Sequence, residues 1–198
     1  MFINDDYSDY LIHLVGKNEP YNTFMSILSS GTLKAQSAFG FLKEIHNKKS
    51  ICFSEIPPLY LKKLVQRRYN HGIAFNKKFL LEKGAQRVWY VEKDSAVHKS
   101  LVYLSLELSN DKISEFLNLA PFIDIPGKYG DTYYRFEWER EWRVLGNVSF
   151  SPRDVSFLII PEDKHALART FFKDAEEENI GPNYDCPYFD PLTNVYSK

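Results

Sequence analysis

Glu139-Arg140-Glu141-Trp142-Arg143 holds the residue types and spacing best suited to chemistry in this chain. In an extended strand side chains alternate between faces. Glu137, Glu139, Glu141 and Arg143 would then share one face, and Phe136, Trp138, Trp142 and Val144 the other. The aromatic face can anchor such a strand while Glu139 and Glu141, about 7 Å apart in strand geometry, meet water or a substrate. Carboxylates placed this way could make the strand a catalytic one. The plainer alternative is a half-buried strand with a charged outer face, and an isolated Glu-x-Glu favours it.

Other candidate groups accompany the acidic segment. His13 sits in the apolar stretch Leu11-Ile12-His13-Leu14-Val15, and Ser54 ends Ile51-Cys52-Phe53-Ser54-Glu55. A strand histidine is more often a hydrogen-bonded core residue than a catalytic one, and a strand-end serine often satisfies local backbone. Tyr69 and Tyr90 could stack on a flat ring, although core or rim packing suits either alone. Arg143 can bind an anion or pair with a neighbouring glutamate across the strand.

Turn and cap signals predict the elements that must position these groups. Pro20 opens a helix that Gly31 closes; a polar segment over 34–49 leads to a strand over 50–55, and Pro57-Pro58 precedes a basic helix. Strand 72–75 runs into a helix over 77–83 capped by Asn76, followed by a strand over 86–91. Helices over 97–108 and 113–122, one strand over 133–145, another over 155–160 and a last helix after Pro161 complete the pattern. Residues 1–9 and the extended tail from Gly181 are expected to be peripheral to a single domain spanning 1–198. About six strands interleaved with about five helices imply an α+β fold, a mixed sheet with surrounding helices.

With 25 basic and 26 acidic residues the net charge is -1, which gives no global attraction to nucleic acid or membrane. The run Lys62-Lys63-Leu64-Val65-Gln66-Arg67-Arg68-Tyr69 could contact nucleic acid or an acidic partner, but it also reads as the solvated side of a helix whose Leu61, Leu64 and Val65 face inward. Cys52 and Cys186 show neither metal-ligand spacing nor a disulfide framework. No secretion-signal pattern or membrane-length apolar run is present, so a cytoplasmic protein with free thiols is expected.

Four blocks carry a family resemblance: Ile51-Cys52-Phe53-Ser54-Glu55-Ile56-Pro57, the stretch from Tyr69 to Lys77, the stretch from Gly84 to Val91, and Glu139-Arg140-Glu141-Trp142-Arg143-Val144. In this order they resemble the abortive phage-resistance family AbiGi across roughly residues 10 to 160. The chain departs from the family pattern where Asn70-His71-Gly72 replaces a glycine-rich turn and where Arg87 stands in place of proline. The resemblance implies a phage-defence or toxin–antitoxin protein with a partner encoded in the same system. An early His followed by a late Glu-x-Glu also resembles ADP-ribosyltransferases, which implies a core of that type and NAD as substrate. On that resemblance Glu141 would stabilise the oxocarbenium-like transition state and Glu139 would orient the acceptor. His13, Ser54, Tyr69, Tyr90 and Arg143 would hold NAD. The alternative is a non-catalytic antitoxin that binds a partner toxin.

Overall fold

Prolines and glycines punctuate the chain much as the sequence predicts. In the computed structural model, which describes residues 8–16, 19–67, 70–129, 131–135 and 137–198, β1 (Tyr10–Leu14) precedes α1 (Pro20–Ser30). Pro20 presets the first helical φ, and Gly31, at φ 57°, ends the helix in the left-handed conformation. Two short strands, β2 (Thr32–Leu33) and β3 (Ser37–Ala38), and the single turn α2 (Lys43–His46) lead to β4 (Lys49–Ser54). Next comes α3 (Pro58–Arg67), which buries Leu61, Leu64 and Val65 and exposes Lys62 and Lys63. β5 (Gly72–Asn76) passes directly into α4 (Lys77–Glu82), where the Asn76 side chain accepts the Lys78 backbone N–H at 2.9 Å.

The middle of the chain forms β6 (Gln86–Arg87), β7 (Trp89–Tyr90), α5 (Ala96–Glu107) and α6 (Asn110–Leu119), with a 3-10 turn at Ala120–Phe122. Strands β8 (Ile123–Asp124), β9 (Gly127–Tyr129), β10 (Thr132–Tyr134), β11 (Glu141–Leu145), β12 (Val148–Ser149) and β13 (Val155–Ile159) follow. The chain then folds into α7 (His165–Glu177), β14 (Tyr188–Asp190) and β15 (Val195–Ser197). The fold is α+β. No described helix is long and apolar enough to cross a membrane.

Contacts group the residues into two compact units. The first comprises residues 1–33, 53–83 and 148–198. Its strands lie in the order β15, β14, β13, β5 and β1, and Ile12 on the far side of β1 pairs with Ser54. β13 and β14 run parallel, and the other pairs are antiparallel, so the sheet is mixed. One face presents Ile12, Ala74, Phe157 and Ile159 to Leu61, Leu64 and Val65 of α3. Glu55, buried just after β4, is ion-paired with Lys77. The tail is extended but not peripheral: Tyr188 and Phe189 are fully buried, and the buried Tyr184 hydroxyl donates to the Leu28 carbonyl at 2.8 Å. Aromatic burial draws it inward, because such side chains carry a large apolar area.

The second unit comprises residues 34–52 and 84–147. β4 pairs with β3 on one side and lies beside β11, which pairs in turn with β6. β7 and β8 form a parallel pair, and β9 and β10 an antiparallel one. Its apolar cluster joins Leu101 of α5 and Phe116 of α6 to Val91 and Ile123, with Phe41, Leu108 and Ile113 against them.

The single strand expected over 133–145 is instead interrupted. A 3-10 turn occupies Glu137–Glu139, the Arg140 N–H donates to the Glu137 carbonyl at 3.1 Å, and Arg140 adopts a left-handed φ of 46°. The alternation that would place Glu139 and Glu141 on one strand face therefore begins only at Glu141.

Two outcomes test this arrangement in the first unit. A Cβ on Gly31 would lie 2.7 Å from the Phe150 carbonyl oxygen, in a left-handed backbone. Gly31→Ala should therefore lower stability by about 1–3 kcal/mol, seen as a reduced denaturation midpoint at unchanged slope. His71 is buried, with its ring 5.4 Å from Phe24 and 6.0 Å from Tyr21, and burial lowers its pKa. Folding then favours the neutral ring, so its contribution is intact above an ordinary histidine pKa of about 6.5 and is lost as pH falls below it. His71→Phe, which retains ring packing, should flatten the stability profile in that acid window when denaturation is followed against pH.

Candidate functional site

Among the described residues Arg143 is the largest fully buried side chain, only 1 % exposed, and three of its nitrogen–oxygen contacts organise the second unit. Its Nε donates to Glu141 Oε1 at 2.7 Å, Nη1 to the Pro121 carbonyl at 2.6 Å, and Nη2 to Asp124 Oδ2 at 2.6 Å. Charge-assisted bonds of this length are the strong class, and all three nitrogens of the guanidinium are used. The guanidinium also lies 5.5 Å from the centre of the Phe39 ring.

Local structure explains why these groups meet. Residues 141 and 143 share a face of β11, while Trp142 turns the other way beneath the Arg87 guanidinium, 5.1 Å from its ring. The parallel register of β7 and β8 sets Tyr90 opposite Asp124, and the Tyr90 hydroxyl lies 3.4 Å from Glu141 Oε2. Gly40, at φ 93°, lets the chain beside Phe39 approach the turn closely. A Cβ there would fall 2.6 Å from the Ala120 carbonyl oxygen and 2.7 Å from that of Pro121.

The electrostatics follow from burial and two carboxylates around one cation. Burial works to lower the Arg143 pKa, but Glu141 and Asp124 outweigh it and raise the value, so the guanidinium is permanently charged. Burial, reinforced by the Glu141 charge, pushes both the Tyr90 hydroxyl and the Cys52 thiol up. Cys52 is therefore held as a thiol rather than a reactive thiolate.

Of the residues singled out in sequence, Glu141, Arg143 and Tyr90 converge here. Glu139 lies buried in the 3-10 turn rather than beside Glu141 along a strand. His13 and Ser54 belong to the first unit, where they point to opposite faces of the sheet. Ser54 pairs with Ile12 and shares its face, whereas His13 turns toward Phe53, with ring centres 5.9 Å apart. Tyr69 lies outside the described residues. Asp124, the Pro121 carbonyl and Phe39 were not legible as site members, because each is brought in by a turn or by a two-residue strand. Among the described residues, no group of three or more His, Cys, Asp or Glu is arranged to hold a metal ion.

Removing the cation should expose how much depends on it. Arg143→Met keeps an apolar stem but leaves Glu141 and Asp124 facing each other, and should cost about 3 kcal/mol. Water reaching Asp124, whose side chain is 39 % exposed, limits the loss. Arg143→Lys should recover only part of it, since an ammonium cannot reproduce the planar fork; thermal denaturation of the three proteins checks the ranking.

Comparison with known proteins adds one finding. Residues 30–179 match the family model described as Putative abortive phage resistance protein AbiGi, antitoxin. No curated protein and no solved structure matches the chain. The matched span contains the whole Arg143 cluster and excludes His13. Since it covers well over half of the sequence, the chain belongs to the AbiGi family of abortive phage resistance proteins.

Proposed function

We propose that this protein acts as the antitoxin of a phage-defence pair, neutralising a partner toxin by direct contact rather than by chemistry on a small molecule. The observation that carries this reading is the closed state of the Arg143 cluster. Glu141, the carboxylate best placed to do chemistry, is bonded at 2.7 Å to a buried guanidinium whose other nitrogens hold Asp124 and a backbone carbonyl. A carboxylate neutralised in this way stabilises the fold around it. Family membership supports the same role, because the family description names an antitoxin.

A second reading, transfer of ADP-ribose from NAD to a macromolecule, draws on the convergence of Glu141, Arg143 and Tyr90. In it the Glu141 side chain, 15 % exposed, would lie beneath the nicotinamide ribose, with Arg143 holding the carboxylate charged and oriented.

One variant separates the two. On the antitoxin reading, Glu141→Gln rescues growth of cells expressing the protein encoded next to this one as well as the wild type does, and the wild type consumes no NAD when incubated with cell lysate. Consumption of NAD by the wild type that Glu141→Gln abolishes, in a variant still folded by circular dichroism, would overturn it in favour of transfer.

A further inference from the structure

Helix α5 carries two apolar stripes where one would suffice to pack it. Val97, Leu101, Leu104 and Leu108 follow a 4-3-4 spacing; Leu101 and Leu108 of this set join the apolar cluster of the second unit, while Val97 and Leu104 at its border are 45 % and 43 % exposed. Lys99, Val102, Tyr103 and Leu106 follow the i, i+3, i+4, i+7 spacing of a second face. That face is open: Val102 is 37 % exposed, Tyr103 63 % and Leu106 76 %. A solvated helix face normally carries charges, and exposed apolar stripes mark contact sites.

The charges bordering this stripe indicate its occupant. Lys99 stands at one end and Glu107 at the other, each four residues from Tyr103, or about 6 Å along the helix axis. Among the described residues neither pairs with an opposite charge in its own chain, while other ions do, such as Lys173 with Glu177. We infer that α5 is a self-association surface, on which the α5 of a second copy lies antiparallel. A two-fold axis at Tyr103 sets Lys99 of each copy against Glu107 of the other and closes both pairs at once, with Val102, Tyr103 and Leu106 between them. A parallel arrangement would oppose Lys99 to Lys99 and Glu107 to Glu107, so the charges also fix the direction. A contact along one helix of about 18 Å is small beside standard interfaces, so the dimer is a weak one that forms at micromolar or higher concentration.

Sedimentation velocity of the full chain over a concentration series tests the inference. The wild type should pass reversibly from monomer to dimer. Leu106→Asp should remain monomeric, and its melting temperature should match the wild type, since Leu106 is exposed. Lys99→Glu and Glu107→Lys, each of which opposes like charges, should weaken the dimer by about tenfold or more. The double exchange Lys99→Glu/Glu107→Lys should restore it. A wild type that stays monomeric throughout overturns the inference, as does a dimer indifferent to both single reversals. So does a monomer that loses binding to the neighbouring-gene protein on Leu106→Asp, since the stripe would then belong to that partner.

Discussion

A buried guanidinium cannot remain in a protein interior without partners, and the second unit is arranged around meeting that demand for Arg143. The ion is almost wholly removed from water, so each nitrogen left without an acceptor would add a desolvation cost that no apolar packing recovers. The three acceptors come from three different elements: Glu141 two residues away on β11, the carbonyl of the turn at Pro121, and Asp124 of β8. Satisfying one cation thereby fixes how β11, the turn after α6 and the paired strands β7 and β8 lie within this unit. The close approach at Gly40 and the Tyr90 hydroxyl over Glu141 belong to the same arrangement. An apolar core of similar volume could supply equal stability; what the ion adds is direction, because each N–H needs an acceptor in line with it.

The helices show how differently one chemical type can be used. α3 hides its apolar residues against the sheet of the first unit and turns Lys62 and Lys63 outward, which is the solvated-face pattern and requires no nucleic acid to explain it. α5 contains one acidic residue, one lysine and one histidine among twelve, and its polar side is largely missing. The contrast separates a helix whose surface is complete from one whose surface is not.

Much of the fold was legible because the long elements carry period and punctuation together. Pro20 with Gly31, Asn76 before α4, and the apolar run of β13 mark their elements without ambiguity. Two-residue strands such as β2 and β8 leave no period to read, and the strand expected over 86–91 divides into β6 and β7, which have different partners: β6 pairs with β11, whereas Trp89 and Tyr90 align with Ile123 and Asp124. The interruption before β11 was hidden for another reason. Glu137 through Arg143 alternates acids and aromatics well enough for a strand, and nothing in residue type announces the left-handed backbone at Arg140. Of the site, Glu141, Arg143 and Tyr90 were visible as chemistry, whereas Asp124 and the Pro121 carbonyl depend on tertiary placement. His13 and Ser54 illustrate the converse: two plausible side chains on neighbouring strands are separated by a one-residue offset of register.

The burial of the tail also bears on the order in which the protein can assemble. Strand β5 is flanked by β1, made before it, and by β13, made some eighty residues later; β13 in turn waits for β14 and β15. While the polypeptide emerges from the ribosome, β1 and β5 can pair but have an open edge, and the Leu28 carbonyl lacks the Tyr184 hydroxyl that later caps it. Closure of long loops of this kind is slow and leaves strand edges exposed in the interim. Residues 34–52 and 84–147, all synthesised before β13, can meanwhile complete their own contacts, so the second unit is able to mature first and the first unit last.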